Sequence, residues 1–230
     1  TTQLKGLTST SIGNLADTQI AALSTTQAAA LTTTQLKGLT STALGELALT
    51  QLAALSGTQL GALAASAISG LSNTQISALT TRQLSGLTGT SMGALSTAQV
   101  RQLSQTQLSA LGTAQIKGLT STGIGMLLTT QFTALTTTQI RSLTSTQIKG
   151  LADTQFAVLS SSQLAALTST ELGALTSDQI GLLSATQVGS LTPAQIKGLT
   201  STGIGALETT QLAVLSPSQL AALNSTQLAG

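Results

Sequence analysis

The sequence predicts an all-α solenoid, a superhelical rod of very short helices built on an eight-residue repeat. Three observations support this fold class. Leu7 and every eighth residue after it, up to Leu223, is leucine, and so strict a short period is typical of repeat architectures. A serine or threonine stands three residues before a glutamine in most octads. Both prolines directly follow such a hydroxyl residue.

Each octad is expected to form its own helix. The octad reads [S/T]-x-[S/T]-Q-[L/I]-x-x-L, and residues 192–199 are one example. Its two apolar positions lie three residues apart, which places both side chains on one face of a helical turn. A continuous helix is excluded because eight residues advance it by about 800°, so the apolar stripe would rotate by about 80° in every repeat.

The polar letters of the octad predict a helix start. A serine or threonine followed three residues later by glutamine or glutamate forms a capping box, in which the two side chains satisfy free backbone N–H groups. Glu171 is the one charged residue at the glutamine position, and it fits the same motif. Pro193 and Pro217 fall at the first helical position, where proline is favoured. We expect helices of about seven residues, near 10 Å long, each followed at once by the next cap.

Some octads lack the first hydroxyl but carry the second. We expect the cap there to shift by two residues, which would shorten the helix. These octads begin at Ala16, Ala48, Ala64, Leu128, Ala152 and Glu208, and the octad at Gly112 has a hydroxyl only at Thr113.

A second period of 16 residues appears at the sixth octad position, where cations and glycines fall in alternate octads. We therefore expect octads to pair into 16-residue coils. One side would carry glutamine and lysine, and the other would carry small residues that allow close backbone approach. A β-solenoid with 16-residue coils is the alternative, favoured by recurrent Thr-x-Thr pairs. The cations are Lys5, Lys37, Arg101, Lys117, Lys149 and Lys197, and the glycines are Gly13, Gly45, Gly61, Gly93, Gly125, Gly173 and Gly205, with Gly181 as the exception.

The domain organisation expected is one uninterrupted array over residues 1–230. The octad frame runs through the whole sequence, and no atypical capping repeat marks either end. We expect the chain to be a segment of a longer array. Its partners would be neighbouring repeats of the same chain, with end-to-end or lateral self-association as a further possibility.

The composition argues against most chemistry. The chain has no histidine and no cysteine, which excludes Ser-His-Asp and Cys-His mechanisms and ordinary zinc sites. We therefore predict no enzyme activity, no cofactor, and no catalytic, cofactor-binding or metal-binding residue. The acids are expected to be solvated charges near helix starts. They are Asp17, Glu46, Asp153, Glu171, Asp178 and Glu208.

Partner classes are limited in the same way. The formal charge of +2 rests on eight scattered cations with almost no aromatic residues, which does not fit nucleic-acid binding. No apolar run reaches the roughly 18 residues of a membrane span. The Lys/Arg positions form either a solvated face or a site for a polyanion such as a glycan. The glutamines either cap helices or form a ladder between coils. Thr-x-Thr rows on a flat β face would suit ice binding.

The frame L-T-[S/T]-T-Q-[I/L]-x-x-L, seen in residues 31–39, resembles the short tandem repeats of very large bacterial surface or secreted proteins, often labelled adhesin-like. This resemblance covers the whole chain and carries no functional residue across. It implies a non-catalytic stalk, spacer or filament segment of an extracellular or cell-surface protein. The alternative is a binding module that uses one repeated face for a glycan, a surface or ice.

Overall fold

The fold is a series of very short helices. A computed structural model describes Leu4 and residues 6–229. Those residues contain 28 helices of four to six residues and no strand. They divide into two compact units, Thr1–Leu119 and Thr120–Gly230. The predicted all-α solenoid is confirmed, and the β-solenoid alternative is wrong for the described residues.

Each unit contains 14 of these helices. In the first unit, α1 to α14 are Ser9–Gly13, Asp17–Ala21, Thr25–Ala29, Thr33–Leu36, Ser41–Gly45, Leu49–Ala53, Gly57–Gly61, Ala65–Ile68, Asn73–Ala78, Thr81–Leu84, Gly89–Gly93, Thr97–Val100, Gln105–Ser109 and Thr113–Gly118. In the second unit, α15 to α28 are Ser121–Gly125, Thr129–Thr133, Thr137–Arg141, Ser145–Lys149, Asp153–Ala157, Ser161–Ala166, Ser169–Leu172, Ser177–Gly181, Ala185–Gly189, Pro193–Gly198, Ser201–Gly205, Thr209–Leu212, Pro217–Ala221 and Ser225–Leu228.

The helices start as the capping motif predicts. Thr32 has extended backbone, and its Oγ1 accepts a hydrogen bond from the Gln35 N–H at 3.2 Å. In return, Gln35 Oε1 accepts from the Thr32 N–H at 2.9 Å. Pro193 and Pro217 occupy the first helical position of α24 and α27, because a proline there gives up no helical hydrogen bond.

The helices are shorter than the seven residues expected. The leucine that closes each octad bonds three residues back rather than four, as Leu39 N does to Leu36 O at 3.1 Å. This tighter turn ends the helix, and the chain then extends into the next cap. The closing leucine and the cap are therefore lost from the helical segment.

The expected cap shift is wrong. Where the hydroxyl is missing, the helix still begins at the next residue, so α2 begins at Asp17 directly after Ala16. The Ala16 N–H donates to Gln19 Oε1 at 2.9 Å, and the Gly112 N–H donates to Gln115 Oε1 at 2.8 Å. The glutamine half of the motif thus keeps the start in place. The helix start also stays unshifted after Ala48, Ala64, Leu128, Ala152 and Glu208, although after Ala64 neither half of the motif is present.

The predicted pairing into 16-residue coils is wrong. Each helix packs mainly against the third helix along the chain, as α11 does against α14 and α21 against α24. Glutamine side chains reach backbone atoms 28 to 31 residues earlier. One turn therefore holds about three and a half octads. The physical reason is enclosure: three to four helices around an axis surround their leucines, whereas two would leave them open to water.

The 16-residue period has another cause. A step of three octads always joins an odd octad to an even one, so the seams between coils alternate between two kinds. A Cβ added at Gly13 would lie 2.8 Å from the Gly38 carbonyl oxygen, and one at Gly93 would lie 2.8 Å from that of Gly118. At the exception, Gly181, the nearest atom is the Ala206 oxygen at 3.7 Å, an ordinary contact. Glycine thus marks the seams of closest approach.

A glycine substitution tests this packing. Gly198→Ala places a Cβ 2.6 Å from Ser169 Cα, so we expect a loss of about 1–3 kcal/mol in the free energy of unfolding. Gly181→Ala is the matched control in the same unit. It should be neutral or stabilise by up to about 1 kcal/mol, since alanine favours the helix. Urea unfolding followed by circular dichroism measures both. Equal effects would contradict the assignment of close seams.

Candidate functional site

The most regular polar arrangement is the set of glutamines between successive coils, which we call the glutamine seam. Gln155 is fully buried, and its Oε1 accepts from the Ala152 N–H at 2.9 Å. Its Nε2 donates to the carbonyl oxygens of Ile124 at 2.9 Å and Leu127 at 3.0 Å. One side chain therefore caps its own helix and fastens that helix to the preceding coil.

The same bond recurs in both units. The Nε2 atom of each glutamine donates to the carbonyl of the closing leucine 28 residues earlier. In the first unit the donors are Gln35, Gln51, Gln59, Gln75, Gln83, Gln99, Gln107 and Gln115. In the second they are Gln155, Gln163, Gln179, Gln187, Gln195, Gln211, Gln219 and Gln227.

The seam explains why the position is glutamine. The last carbonyls of a helix have no partner within that helix, and in a buried seam each needs a donor. Only an amide side chain of this length offers an acceptor for the cap and a donor for the neighbouring coil at once. Both sequence interpretations therefore hold. The capping is confirmed, and a link between coils exists, although it ends on backbone carbonyls and not on other glutamines.

Glu171 shows the seam with one half missing. Its Oε2 accepts from the Thr168 N–H at 2.6 Å, which keeps the cap. A carboxylate has no N–H to offer Leu143 O, the carbonyl at the equivalent position in the preceding coil. Glu171 is also buried, so the expectation that all acids are solvated is wrong at this residue.

The other acids stand apart from one another. Asp17 and Asp153 are first helical residues and Asp178 is a second one, as predicted for helix starts. Glu46 instead follows the end of α5, which corrects the prediction for that residue. Among the described residues, no group of three or more acidic side chains could hold a metal ion.

The predicted Lys/Arg face does not form. Lys37, Arg101 and Lys117 in the first unit are exposed, as are Lys149 and Lys197 in the second. A step of 16 residues exceeds half of a 28-residue turn, so successive cations fall on different sides. Lys5 lies outside the described residues.

The ice-binding hypothesis loses its basis in the described residues. The Thr-x-Thr pairs lie at helix starts and not on a flat strand. Thr32 of one pair is the cap of α4, and Thr34 lies inside that helix. The threonine rows therefore serve helix initiation.

One open cleft lies in the first unit. It has a volume of about 530 Å³ and brings hydroxyl groups next to the Arg82 backbone and side chain. Small residues open the space because their side chains leave the coils uncovered. The lining residues are Ser56, Gly57, Thr58, Gly61, Arg82, Ser85 and Gly86.

Comparison with known proteins finds one similarity. Residues 92–121, 132–169 and 157–193 match the family model described as the ALTTAQ repeat. The matches cover less than half of the chain, and they lie within the array of octads. The six letters span the end of one octad and the start of the next, as Ala94–Gln99 does with the sequence ALSTAQ. No curated protein matches the chain.

Two further structural observations bear on partners. Repeats pack against neighbouring repeats of the same chain, as predicted. Among the described residues, no helix combines the length and the apolar character that crossing a bilayer requires.

Exchanging glutamine and glutamate in both directions tests the seam. Gln155→Glu keeps the cap but removes two donated bonds and sets a buried carboxylate against two carbonyl oxygens. We expect a loss of about 2–4 kcal/mol, part of which should return at a pH low enough to protonate the new carboxyl. Glu171→Gln should gain about 1–2 kcal/mol, because it adds the missing donor. Urea unfolding measures both variants.

Gln19→Glu is the control for this exchange. Gln19 is exposed and caps α2 without a coil before it, so the substitution should change stability by less than about 0.5 kcal/mol. Equal losses in Gln155→Glu and Gln19→Glu would show that capping alone explains the glutamines.

Proposed function

We propose that this chain is a structural spacer, a stalk or filament segment whose task is to span distance. The observation that carries the proposal is the seam itself. Every coil is fastened to the one before it by the same glutamine bonds, so the array can lengthen by adding coils without changing any contact. Proteins of this kind gain stability from neighbouring repeats and not from a central core. The similarity to a repeat family supports a structural, non-catalytic role.

We further propose that the spacer works outside the cell or at its surface. The support is compositional and comes from the resemblance to tandem repeats of bacterial surface and secreted proteins. The chain has no cysteine, and its polar surface is built from hydroxyl and amide groups with few charges. Such a surface offers nothing that depends on a reducing compartment.

A deletion series tests the spacer role. Removing seven octads takes out two whole turns and leaves the glutamine seam in register, so the helical signal in circular dichroism should persist. The maximum dimension in small-angle scattering should fall in proportion to the length removed. Removing the same stretch plus four residues shifts the octad frame and should lower the unfolding temperature sharply. A maximum dimension that stays constant across in-register deletions would refute the spacer.

A carbohydrate-binding role is the second candidate, and the Arg82 cleft is the observation that favours it. Its hydroxyl groups and one guanidinium could bond sugar hydroxyls or an acidic sugar. A glycan array should then give hits that Arg82→Ala weakens at least tenfold. Arg101→Ala is the control, as an exposed cation in the same unit that does not line the cleft. No hit, or equal loss in both variants, rejects this role.

A further inference from the structure

The two outermost coils present opposite halves of the same seam. We call the exposed face of the first coil the head, formed by Leu15, Leu23, Gln19 and Gln27. The exposed face of the last coil is the tail, formed by Leu212, Leu220 and Leu228 with the carbonyls of Leu215 and Leu223. We propose that the tail of one chain binds the head of a second copy, so that the chains associate end to end.

The apolar half of the argument rests on burial. In the first coil, Ile12 and Ile20 at the fifth octad position are buried, whereas the closing leucines Leu15 and Leu23 are only half-buried. Side chains at the fifth position therefore meet the following coil, and closing leucines meet the preceding one.

The last coil shows the reverse pattern. Leu212, Leu220 and Leu228 at the fifth position are 41%, 51% and 68% exposed, while Leu215 at the closing position is buried. These leucines border an apolar groove of about 430 Å³. The head thus exposes the apolar position that the tail lacks a partner for.

The polar half matches in the same sense. Gln19 and Gln27 use Oε1 to cap α2 and α3, but their Nε2 atoms have no acceptor within the described part of the chain. At the other end, Gln227 bonds the Leu199 carbonyl at 2.7 Å. The carbonyls of Leu215 and Leu223 receive no such donor from the described residues. Free donors at the head correspond to free acceptors at the tail.

The two faces are complementary but not alike. A head cannot pair with a head, since both would present donors and closing leucines. The contact is therefore heterologous, and a heterologous contact that does not close into a ring produces open-ended assemblies. The inference goes beyond the spacer role, because a spacer needs only a single chain.

Two blocked variants test the pairing. Gln19→Glu with Gln27→Glu keeps the caps but removes the head donors. Leu220→Glu with Leu228→Glu places charges on the exposed tail. Sedimentation velocity and light scattering are measured over a hundredfold range of concentration. The 22.9 kDa chain should grow past twice its monomer mass with concentration, whereas each blocked variant alone should stay monomeric.

The mixture of the two variants gives the sharpest outcome. Only one free head meets one free tail, so the mass should double and then stop. A monomeric parent chain at every concentration, or a mixture that does not dimerise, overturns the proposal. Met126→Ser with Leu182→Ser removes exposed apolar side chains away from both ends and should leave association unchanged. Loss of association there would indicate lateral contacts instead. Circular dichroism confirms that each variant is folded, and the head variant suffices if the tail variant is not.

Discussion

The bond from a glutamine amide nitrogen to the carbonyls of the preceding coil is the interaction on which the rest of this structure depends. Helices of four to six residues cannot persist alone, because the cost of nucleating a helix exceeds what one turn returns. Their last carbonyls are also left without partners. The glutamine removes both difficulties, since it fixes the start of one helix and satisfies the end of another. Burial of leucine pairs along the axis then supplies the apolar contribution to stability.

Alternation between octads follows from the number of helices in a turn. Each helix meets the third one along the chain, so contacts always join octads of opposite parity. Gly13 and Gly93 allow close backbone approach in one class of seam, and larger residues such as Lys37 occupy the sixth position in the other class. A tightly approaching seam and a looser one therefore alternate, and the cations are carried to different sides.

The structure has no concentrated chemical site in its described residues, and its function follows from its regularity. A coil that fastens to its predecessor can equally be fastened by its successor, which makes length the variable quantity. The same property gives the outermost coils complementary faces, with donors and closing leucines at the head and acceptors and exposed leucines at the tail. Spanning a distance and pairing end to end are two consequences of one seam.

The sequence by itself determined the local structure. Ser/Thr, proline and glutamine act through hydrogen bonds within four residues, so the capping motif at Thr32 and Gln35 and the placement of Pro193 were readable directly. Tertiary structure decided the rest. The number of octads per turn depends on how tightly the chain bends after each closing leucine and on how many helices enclose the axis. The period of 16 residues left this open, because any odd step between octads produces it. Likewise, the side chain of Gln155 shows its second role only when the coil 28 residues earlier lies beside it, and no local pattern specifies that distance.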